Sequence, residues 1–227
     1  VTTVASLAAS GGSALVGYLP AGTGAVANTV QGKIRESVSV KDFGAVGNGV
    51  TDDTAAIQAA IASFNYPGGE VVFPRGTYLH SAIVLPSGRN IKLRGQGSGH
   101  TSSGWHPTIL LKSAATTTPG LTVVTDGSSI QDITFNGQSG NTGDGILVRC
   151  SRVSITNVGV FNMGQDGVRV GTDAGNENCN LWHFTNLKCK TNGRHGMHLS
   201  EGAGPLADTN AGTLIHPDFQ GNGSAGL

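Results

Sequence analysis

The chain has 227 residues, of which 36 are glycine and 12% are charged, and its formal net charge is +0. Globular proteins average about 25% charged residues and about 7% glycine, so this composition favours many short strands joined by tight turns. The balanced charge indicates no nucleic-acid partner. The absence of an apolar run of about 18 residues indicates no membrane insertion, and no basic segment precedes the apolar start to make a signal peptide.

The three cysteines, Cys150, Cys179 and Cys189, have no CxxC spacing. An odd number of cysteines with this spacing argues against both a disulfide framework and a zinc site. We therefore predict buried free thiols in a protein that is assembled in a reducing cytoplasm.

Residues 1–38 differ from the rest of the chain because they are rich in small residues and nearly free of acidic ones. Val26, Val30 and Ile34 recur here at four-residue spacing, which predicts a helix of about three turns with a narrow apolar stripe. Such a helix is not stable by itself in water. We expect it to pack against the body of this chain or against its copies in an oligomer.

A second helix is predicted after a glycine-rich loop. Thr51 or Asp52 supplies the expected N-cap oxygen, and Asp53 places a favourable negative charge at the start of the helix. One helix face is apolar and consists of Ile57, Ala60, Ile61 and Phe64. The Pro-Gly-Gly sequence at residues 67–69 predicts the end of the helix.

Short apolar runs bounded by Gly, Pro, Asn or Ser follow and predict strands. They lie at residues 71–73, 83–85, 91–93, 109–111 and 121–123. No long helix is predicted beyond residue 70.

An internal repeat organises the second half of the chain. One unit carries apolar residues at i, i+3 and i+5 and begins at Ile130, Ile155, Phe184 and Leu214; the other begins with a glycine before an apolar residue, at Gly145, Gly167, Gly196 and Gly226. Both units recur every 22 to 30 residues, whereas propeller blades need about 40 to 50. This spacing predicts an all-β parallel β-helix, in which Ile133, Val158 and Leu187 stack in a continuous core.

The segments SVKDFGAVGNGVTDDTAAIQAAI (39–61) and GGEVVFPRGTYL (68–79) resemble the opening of the pectate-lyase-like β-helix family found in many phage tailspikes. The preceding GTGAVANTVQGKIRESVSVKDFGA resembles the junction between a virion-anchoring segment and the β-helix of such tailspikes. The resemblance covers residues 20–97 and implies a right-handed, single-stranded parallel β-helix (solenoid) with an N-terminal capping helix and anchor segment. It is more specific for fold than for function, because fold does not imply activity.

The resemblance divides the chain into a virion-anchoring or neck segment, residues 1–38, and the N-terminal part of a pectate-lyase-like β-helix domain, residues 39–227. The apolar face of the second helix suits a lid over the first coil. No such lid follows the last repeat, which stops at Gly226 and Leu227. We therefore expect the natural polypeptide to continue or another chain to cover this end.

The candidate catalytic residues are Asp144, Asp166 and His195, each directly before a repeat glycine. Equivalent positions in neighbouring coils lie about 4.8 Å apart, and glycosidases need an acid and an ionised carboxylate about 5 to 9.5 Å apart. The segments NTGDGI, GQDGV and RHGMHL resemble the motifs of polygalacturonase-type glycosidases, but Gly143 and Arg194 depart from them and the second has one Asp instead of two. The alternative is a turn role, because Asp-Gly is a common turn pair.

Other candidates have plain structural alternatives. Trp105 and Trp182 can stack on sugar rings if they point outward, or pack in the core or between subunits. The loop residues Glu177 and Glu201 are sugar-binding candidates or solvated charges. The histidines at positions 183, 195, 198 and 216 lack metal-site spacing, so neither a metal nor a cofactor is predicted.

The leading prediction is a phage tailspike or tail-fibre component, assembled in the host cytoplasm and located in the virion. It is expected to be a homotrimer that binds phage tail or baseplate proteins through its N-terminus and bacterial surface polysaccharide through its solenoid. The full-length parent is expected to depolymerise that polysaccharide as a hydrolase or lyase, whereas this chain alone is expected to be inactive. The alternatives are a non-enzymatic virion adaptor or receptor-binding stalk and, ranked lower, a secreted cell-wall polysaccharide lyase.

Overall fold

The computed structural model describes residues 3–65, 67–99, 107–114, 116–171, 178–200 and 209–224. The chain divides into two compact units, Val1–Val38 and Ser39–Leu227. None of the helices in the described ranges is long and apolar enough to cross a bilayer.

The first unit contains only short elements. They are α1 (Val4–Ala8), a 3-10 turn (Gly12–Ala14), β1 (Gly17–Tyr18), β2 (Asn28–Thr29) and α2 (Val30–Ile34). β1 and β2 pair antiparallel, so the backbone directly before α2 is extended.

The predicted three-turn helix through Val26, Val30 and Ile34 is wrong. The helix begins only at Val30, because the Thr29 side chain accepts a hydrogen bond from the Gly32 N–H and thereby caps it. Val26 lies outside the helix and is 78% exposed. The pairing of β2 with β1 requires extended backbone at residues 28–29, which prevents the helix from reaching back to Val26.

The second helix, α3 (Thr54–Ala62), follows β3 (Ser37–Ser39), a 3-10 turn (Val40–Phe43) and β4 (Asn48–Asp52). The predicted N-cap at residue 51 or 52 is wrong, since both residues belong to β4 and Asp53 is the N-cap.

The Asp53 carboxylate does not bind the first turn of α3. It is buried and accepts hydrogen bonds from the backbone N–H groups of Val46 (2.6 Å) and Gly47 (2.9 Å). The first-turn N–H of Thr54 is instead bound by the Asp52 side chain at 2.9 Å. The two aspartates therefore fix the loop and the helix start separately.

The apolar face of α3 covers the first coil. Ile57, Ala60 and Ile61 are each 0% exposed. The helix packs against the 3-10 turn at Val40–Phe43 and against β7. Phe64 lies just beyond the helix end, with its ring so close to Gly69 that a Cβ there would lie 2.1 Å from a ring carbon. The predicted capping helix is therefore present.

Fifteen further strands build the solenoid. They are β5 (Gly68–Val72), β6 (Gly76–His80), β7 (Ile83–Leu85), β8 (Asn90–Arg94), β9 (Thr108–Lys112), β10 (Leu121–Val123), β11 (Ser129–Gln131), β12 (Thr134–Gly137), β13 (Ile146–Val148), β14 (Ser154–Phe161), β15 (Val168–Val170), β16 (His183–Lys190), β17 (Met197–Leu199), β18 (Thr213–Ile215) and β19 (Asp218–Gln220). All described pairings among them are parallel.

Each coil crosses two sheets. One is a five-stranded sheet in the order β17-β15-β13-β10-β7, and the larger sheet covers the other sides. In the five-stranded sheet, the register aligns one buried row, which is Ile83, Leu121, Ile146, Val168 and Met197.

The predicted core stack is confirmed. Val158 pairs directly with Leu187, and the Gly159 N–H donates to the Ile133 carbonyl, which aligns Ile133 with Val158. All three side chains are at most 1% exposed. The chain is thus an all-β, right-handed parallel β-helix, as predicted; the last repeat, Gly226 and Leu227, lies outside the described residues.

The predicted free thiols are also confirmed. Cys150, Cys179 and Cys189 are all buried thiols that form no disulfide. Burial raises the pKa of the Cys150 thiol to about 12, so this thiol is protonated and unreactive at neutral pH.

Two polar side chains lie inside the solenoid next to one another. His80 on β6 pairs in register with Lys112 on β9, and both are 0% exposed. The Lys112 ammonium donates to the Thr116 carbonyl at 2.8 Å, whereas neither ring nitrogen of His80 has a partner within the described part of the chain. Burial, reinforced by the Lys112 charge, lowers the pKa of His80 to about 4.

Replacing Ile61 by Asp should destabilise the protein by about 3–5 kcal/mol, because it buries an uncompensated charge between α3 and the first coil. The measurement is the free energy of unfolding in urea. Ala59→Asp is the matched control, since Ala59 is exposed on the same helix, and it should cost far less. An unchanged stability of Ile61→Asp would contradict the lid role of α3.

Replacing His80 by Leu should remove part of the acid sensitivity of folding. The folded state keeps His80 neutral down to about pH 4, whereas the unfolded chain protonates it near pH 6.5, so stability falls as the pH drops through this window. The free energy of unfolding of His80→Leu, relative to the parent, should rise by up to about 3 kcal/mol between pH 7 and pH 4. A difference that does not change with pH would show that His80 is not buried neutral.

Candidate functional site

The candidate residues Asp144, Asp166 and His195 lie on consecutive coils, in the turns that lead into β13, β15 and β17. The Gly145 N–H donates to the Asp166 carbonyl and the Gly167 N–H to the His195 carbonyl, each at 2.9 Å. The three positions are therefore stacked along the solenoid, beside the edge of the five-stranded sheet.

The two carboxylates bind the backbone of the next coil. Asp144 Oδ1 accepts from the Asp166 N–H at 3.0 Å, and Asp166 Oδ1 accepts from the His195 N–H at 3.0 Å. Each carboxylate thus satisfies a buried donor at the same turn, as an Asp in an Asp-Gly turn does. Asp144 and Asp166 therefore have the structural role of the Asp in an Asp-Gly turn.

A pair of imidazoles shares the Asp166 carboxylate. Oδ1 lies 2.9 Å from His195 Nδ1, and Oδ2 lies 3.0 Å from His198 Nδ1. The two ring centroids are 5.0 Å apart. The Asp166 side chain is 0% exposed, whereas the His195 and His198 side chains are 26% and 25% exposed. The histidines are therefore the solvent-accessible part of this Asp166–His195–His198 cluster.

His198 was not among the residues predicted for the site. It lies on β17 in register with Arg169 of β15, and its strand neighbour Met197 points into the core. Because side chains alternate along a strand, the residue after the inward-pointing Met197 lies on the outer face, and this residue is His198. This alternation could have placed His198 beside His195 from the sequence, whereas the spacing of the histidines along the chain does not indicate it.

Two arginines border the cluster. Arg194 Nε lies 3.6 Å from Asp166 Oδ1, and Arg169 Nη1 lies 3.8 Å from Asp144 Oδ2. Arg169 Nε also donates to Ser200 Oγ at 3.2 Å. The outer surface at β15 and β17 is therefore polar and carries charges of both signs.

The two carboxyl groups have opposed pKa shifts. Burial raises the pKa of Asp144. Burial would also raise the pKa of Asp166, but the hydrogen bonds from His195 and His198 outweigh it and lower that pKa. Opposed shifts in neighbouring carboxyl groups are the arrangement that acid–base catalysis uses, although the side chains of Asp144 and Asp166 are only 7% and 0% exposed. Within the Asp166–His195–His198 cluster, the imidazoles are therefore the groups that a bound molecule can reach.

Of the two roles left open for Trp182, the structure shows packing in the core and not an outward-facing ring. Its side chain is buried, its ring lies 4.9 Å from that of Phe184, and its Nε1–H donates to the Thr209 carbonyl. Leu181, directly before Trp182, is 53% exposed and has a φ of 57°. The alternative of a core role for Trp182 is confirmed; Trp105, Glu177 and Glu201 lie outside the described residues.

A separate pocket of about 140 Å³ opens on the larger sheet. Its lining includes Phe161, Lys188 and Lys190, and Lys190 forms an ion pair with Asp218 at 2.7 Å. An aromatic ring beside hydrogen-bond donors is a common lining of a ligand pocket. The sequence repeats do not predict this pocket, whose lining combines strand residues with Ser98 and Gly99.

Comparison with known proteins identifies one matching family model, described as rhamnogalacturonase A/epimerase, pectate lyase-like, at residues 37–107. Mannuronan C5-epimerase AlgE2 of Azotobacter vinelandii is 38% identical over 117 residues, which are 46% of this chain and 11% of the epimerase. The chain therefore spans about a tenth of the length of this relative.

Two solved structures share the fold. ORF18 of Geobacillus virus E2 is 21% identical, with a TM-score of 0.55 over 89% of this chain and 48% of that protein. The tailspike of E. coli bacteriophage HK620, solved in complex with a pentasaccharide, is 15% identical, with a TM-score of 0.56 over 96% of this chain and 45% of the tailspike. The predicted resemblance is confirmed: the chain carries the pectate-lyase-like pattern at residues 37–107 and has the parallel β-helix fold of phage tailspikes.

Proposed function

We propose that this chain is part of a phage tailspike that attaches the virion to a host by binding bacterial surface polysaccharide on the outer face of the five-stranded sheet. The observation that best supports this function is the row of polar groups on consecutive coils, formed by Arg169, Arg194, His195 and His198 around Asp166. A polysaccharide is a linear chain of hydroxyl-bearing units, and stacked coils present hydrogen-bonding groups to it at regular intervals.

The similar proteins support the same class of ligand. The HK620 tailspike is solved with a pentasaccharide, and AlgE2 is named for its action on mannuronan, a polysaccharide. This chain covers 11% of AlgE2 and 45% of the HK620 tailspike.

A second candidate function is proton transfer to or from the bound polysaccharide, as in a hydrolase or lyase. The opposed pKa shifts of Asp144 and Asp166 favour it. In that role His195 and His198 would exchange protons with the substrate, and Asp166 would orient them. Because both carboxyl groups are buried, we expect these 227 residues to bind polysaccharide without cleaving it. A non-enzymatic receptor-binding stalk makes the same prediction for this chain.

Binding should be measured by biolayer interferometry against immobilised capsular and O-antigen polysaccharides from a panel of bacterial strains. His198→Ala should weaken binding to the recognised polysaccharide about tenfold, which corresponds to one lost hydrogen bond of about 1.4 kcal/mol. His183→Ala is the matched control, because His183 is exposed on β16 of the other sheet, and it should bind as the parent does.

Two outcomes of that experiment would count against binding without cleavage. Failure to bind any surface polysaccharide would contradict the attachment function. Release of new reducing or unsaturated ends by the parent chain, lost in Asp166→Asn, would instead favour the proton-transfer candidate.

We further propose that the tailspike is a homotrimer whose N-terminal unit docks on phage tail proteins in the virion. Among the residues that the structure describes, more than half of the exposed large hydrophobic side chains lie in the first unit, including Val4, Leu19, Val26 and Ile34, which are 63 to 84% exposed. Closed symmetry buries the same apolar surface on every copy at once. The apolar side chains that are exposed in a single chain would be removed from water in the trimer.

Sedimentation velocity tests the trimer. The parent chain should sediment as a trimer, and Val26→Asp combined with Ile34→Asp should shift it toward monomer, because three copies of each charge would face one another at the interface. Val50→Asp is the matched control, since Val50 is 79% exposed on β4 of the second unit. A parent chain that stays monomeric at all concentrations would contradict the proposal.

A further inference from the structure

The hydrogen bonds of Asp166 fix the tautomers of two histidines. A carboxylate oxygen can only accept, so the Nδ1 atoms of His195 and His198, at 2.9 and 3.0 Å from its two oxygens, must both carry hydrogen. The lone pair of each neutral ring is then on Nε2. The Asp166 carboxylate is itself held by the His195 backbone N–H at 3.0 Å, so the support of both rings is rigid.

Both Nε2 atoms are available to a ligand. Neither has a hydrogen-bond partner among the described residues. They are also not among the buried polar side-chain atoms of the described residues that lack a partner. Each ring is about a quarter exposed, so Nε2 is the atom that meets solvent.

We propose that His195 and His198 form a binding site for a divalent transition-metal ion of the Zn²⁺, Ni²⁺ or Cu²⁺ class, with Asp166 as the buried residue that orients both rings. Histidines that bind metals characteristically donate their other ring N–H to a carboxylate, and here a single carboxylate serves two adjacent rings. Ligand atoms of all three residues lie within 4.8 Å of one another. The two ring centroids lie 5.0 Å apart, and metal–nitrogen bonds of about 2.0–2.1 Å require the two Nε2 atoms to lie within about 4 Å of one another.

The donor set selects the class of metal. Imidazole nitrogen suits zinc, nickel and copper, whereas calcium and magnesium require several oxygen ligands. The oxygens of Asp166 are already occupied by hydrogen bonds from the two histidines, so they do not offer a calcium site. This proposal does not depend on polysaccharide binding, and the metal can be tested without any glycan.

The guanidinium group of Arg194, next to the cluster, lowers the expected affinity for a metal ion. Arg194 Nε lies 3.6 Å from Asp166 Oδ1, and the Arg194 side chain is 40% exposed. Its positive charge repels a metal ion at the neighbouring imidazoles. Replacing Arg194 by Gln should therefore tighten metal binding, an effect opposite to that expected if Arg194 only stabilised the fold around the site.

The test is isothermal titration of the untagged 227-residue chain with ZnCl₂ and NiCl₂ at pH 7.5, with CaCl₂ as the negative control. One saturable site per chain is expected for zinc and nickel and none for calcium. His195→Ala and His198→Ala should each abolish saturable binding, and Asp166→Asn should weaken it about 10- to 100-fold. His183→Ala, an exposed histidine on the other sheet, should leave it unchanged.

Cobalt(II) provides a second readout that does not depend on folding stability. The d–d absorption bands of bound Co²⁺ should show nitrogen and oxygen ligation, without the thiolate charge-transfer band that binding to the three buried cysteines would give. Circular dichroism should show that each variant keeps its β-structure. Absence of saturable zinc and nickel binding, thiolate ligation of cobalt, or binding that survives both histidine substitutions would each overturn the proposal.

Discussion

Parallel pairing of each strand with its equivalent in the next coil holds the coils of this protein about one strand spacing apart. The pairing aligns like with like: Ile83, Leu121, Ile146, Val168 and Met197 form one buried row because their strands are in register. A shift of one residue would turn every such side chain outward. The apolar core and the polar outer row are therefore two results of the same hydrogen-bond ladder.

Register also has to be kept where the chain bends. β14 and β16 turn between two faces at Asn157 and Asn186, whose φ angles are 53° and 52°. Asn and Asp adopt this left-handed conformation more readily than most residues. Their side chains form a ladder, in which Asn157 Nδ2 donates to Asp132 Oδ1 and Asn186 Nδ2 donates to Asn157 Oδ1. These polar ladders therefore keep the bends of successive coils in register, as the apolar rows keep the strands in register.

The pair Asp144 and Asp166 forms a comparable ladder at another turn, since each carboxylate binds the backbone N–H of the next coil. This explains why a turn role and a functional role for these residues are compatible. A carboxylate that is fixed by the fold has no conformational freedom to lose when it orients the side chains of His195 and His198. The structural contact is what makes the cluster rigid.

The sequence predicts the solenoid well because its core repeats. The periodic spacing of apolar residues along the chain predicts the strands, the apolar face of α3, and the stacked positions of Ile133, Val158 and Leu187. The prediction of a helix through Val26 was wrong because the extended pairing of β2 with β1 overrides a weak apolar stripe. For Trp182 the sequence left a sugar-stacking role and a core role open, and its ring contact with Phe184 decides for the core. Of the site, the sequence predicts that Asp144, Asp166 and His195 stack, but His198 enters through the outer face of a strand that is only three residues long.

The lid formed by α3 has a consequence for how the chain folds during synthesis. Residues 54–62 pack on the 3-10 turn at residues 40–43 and on β7 at residues 83–85, so the covered first coil needs only segments that emerge early from the ribosome. Each later coil then finds a completed edge on which to add its strands, and none has to wait for residues far downstream. Growth from a capped end leaves exposed sheet edges only on the last coil formed, which limits the chance that unfinished chains pair with one another.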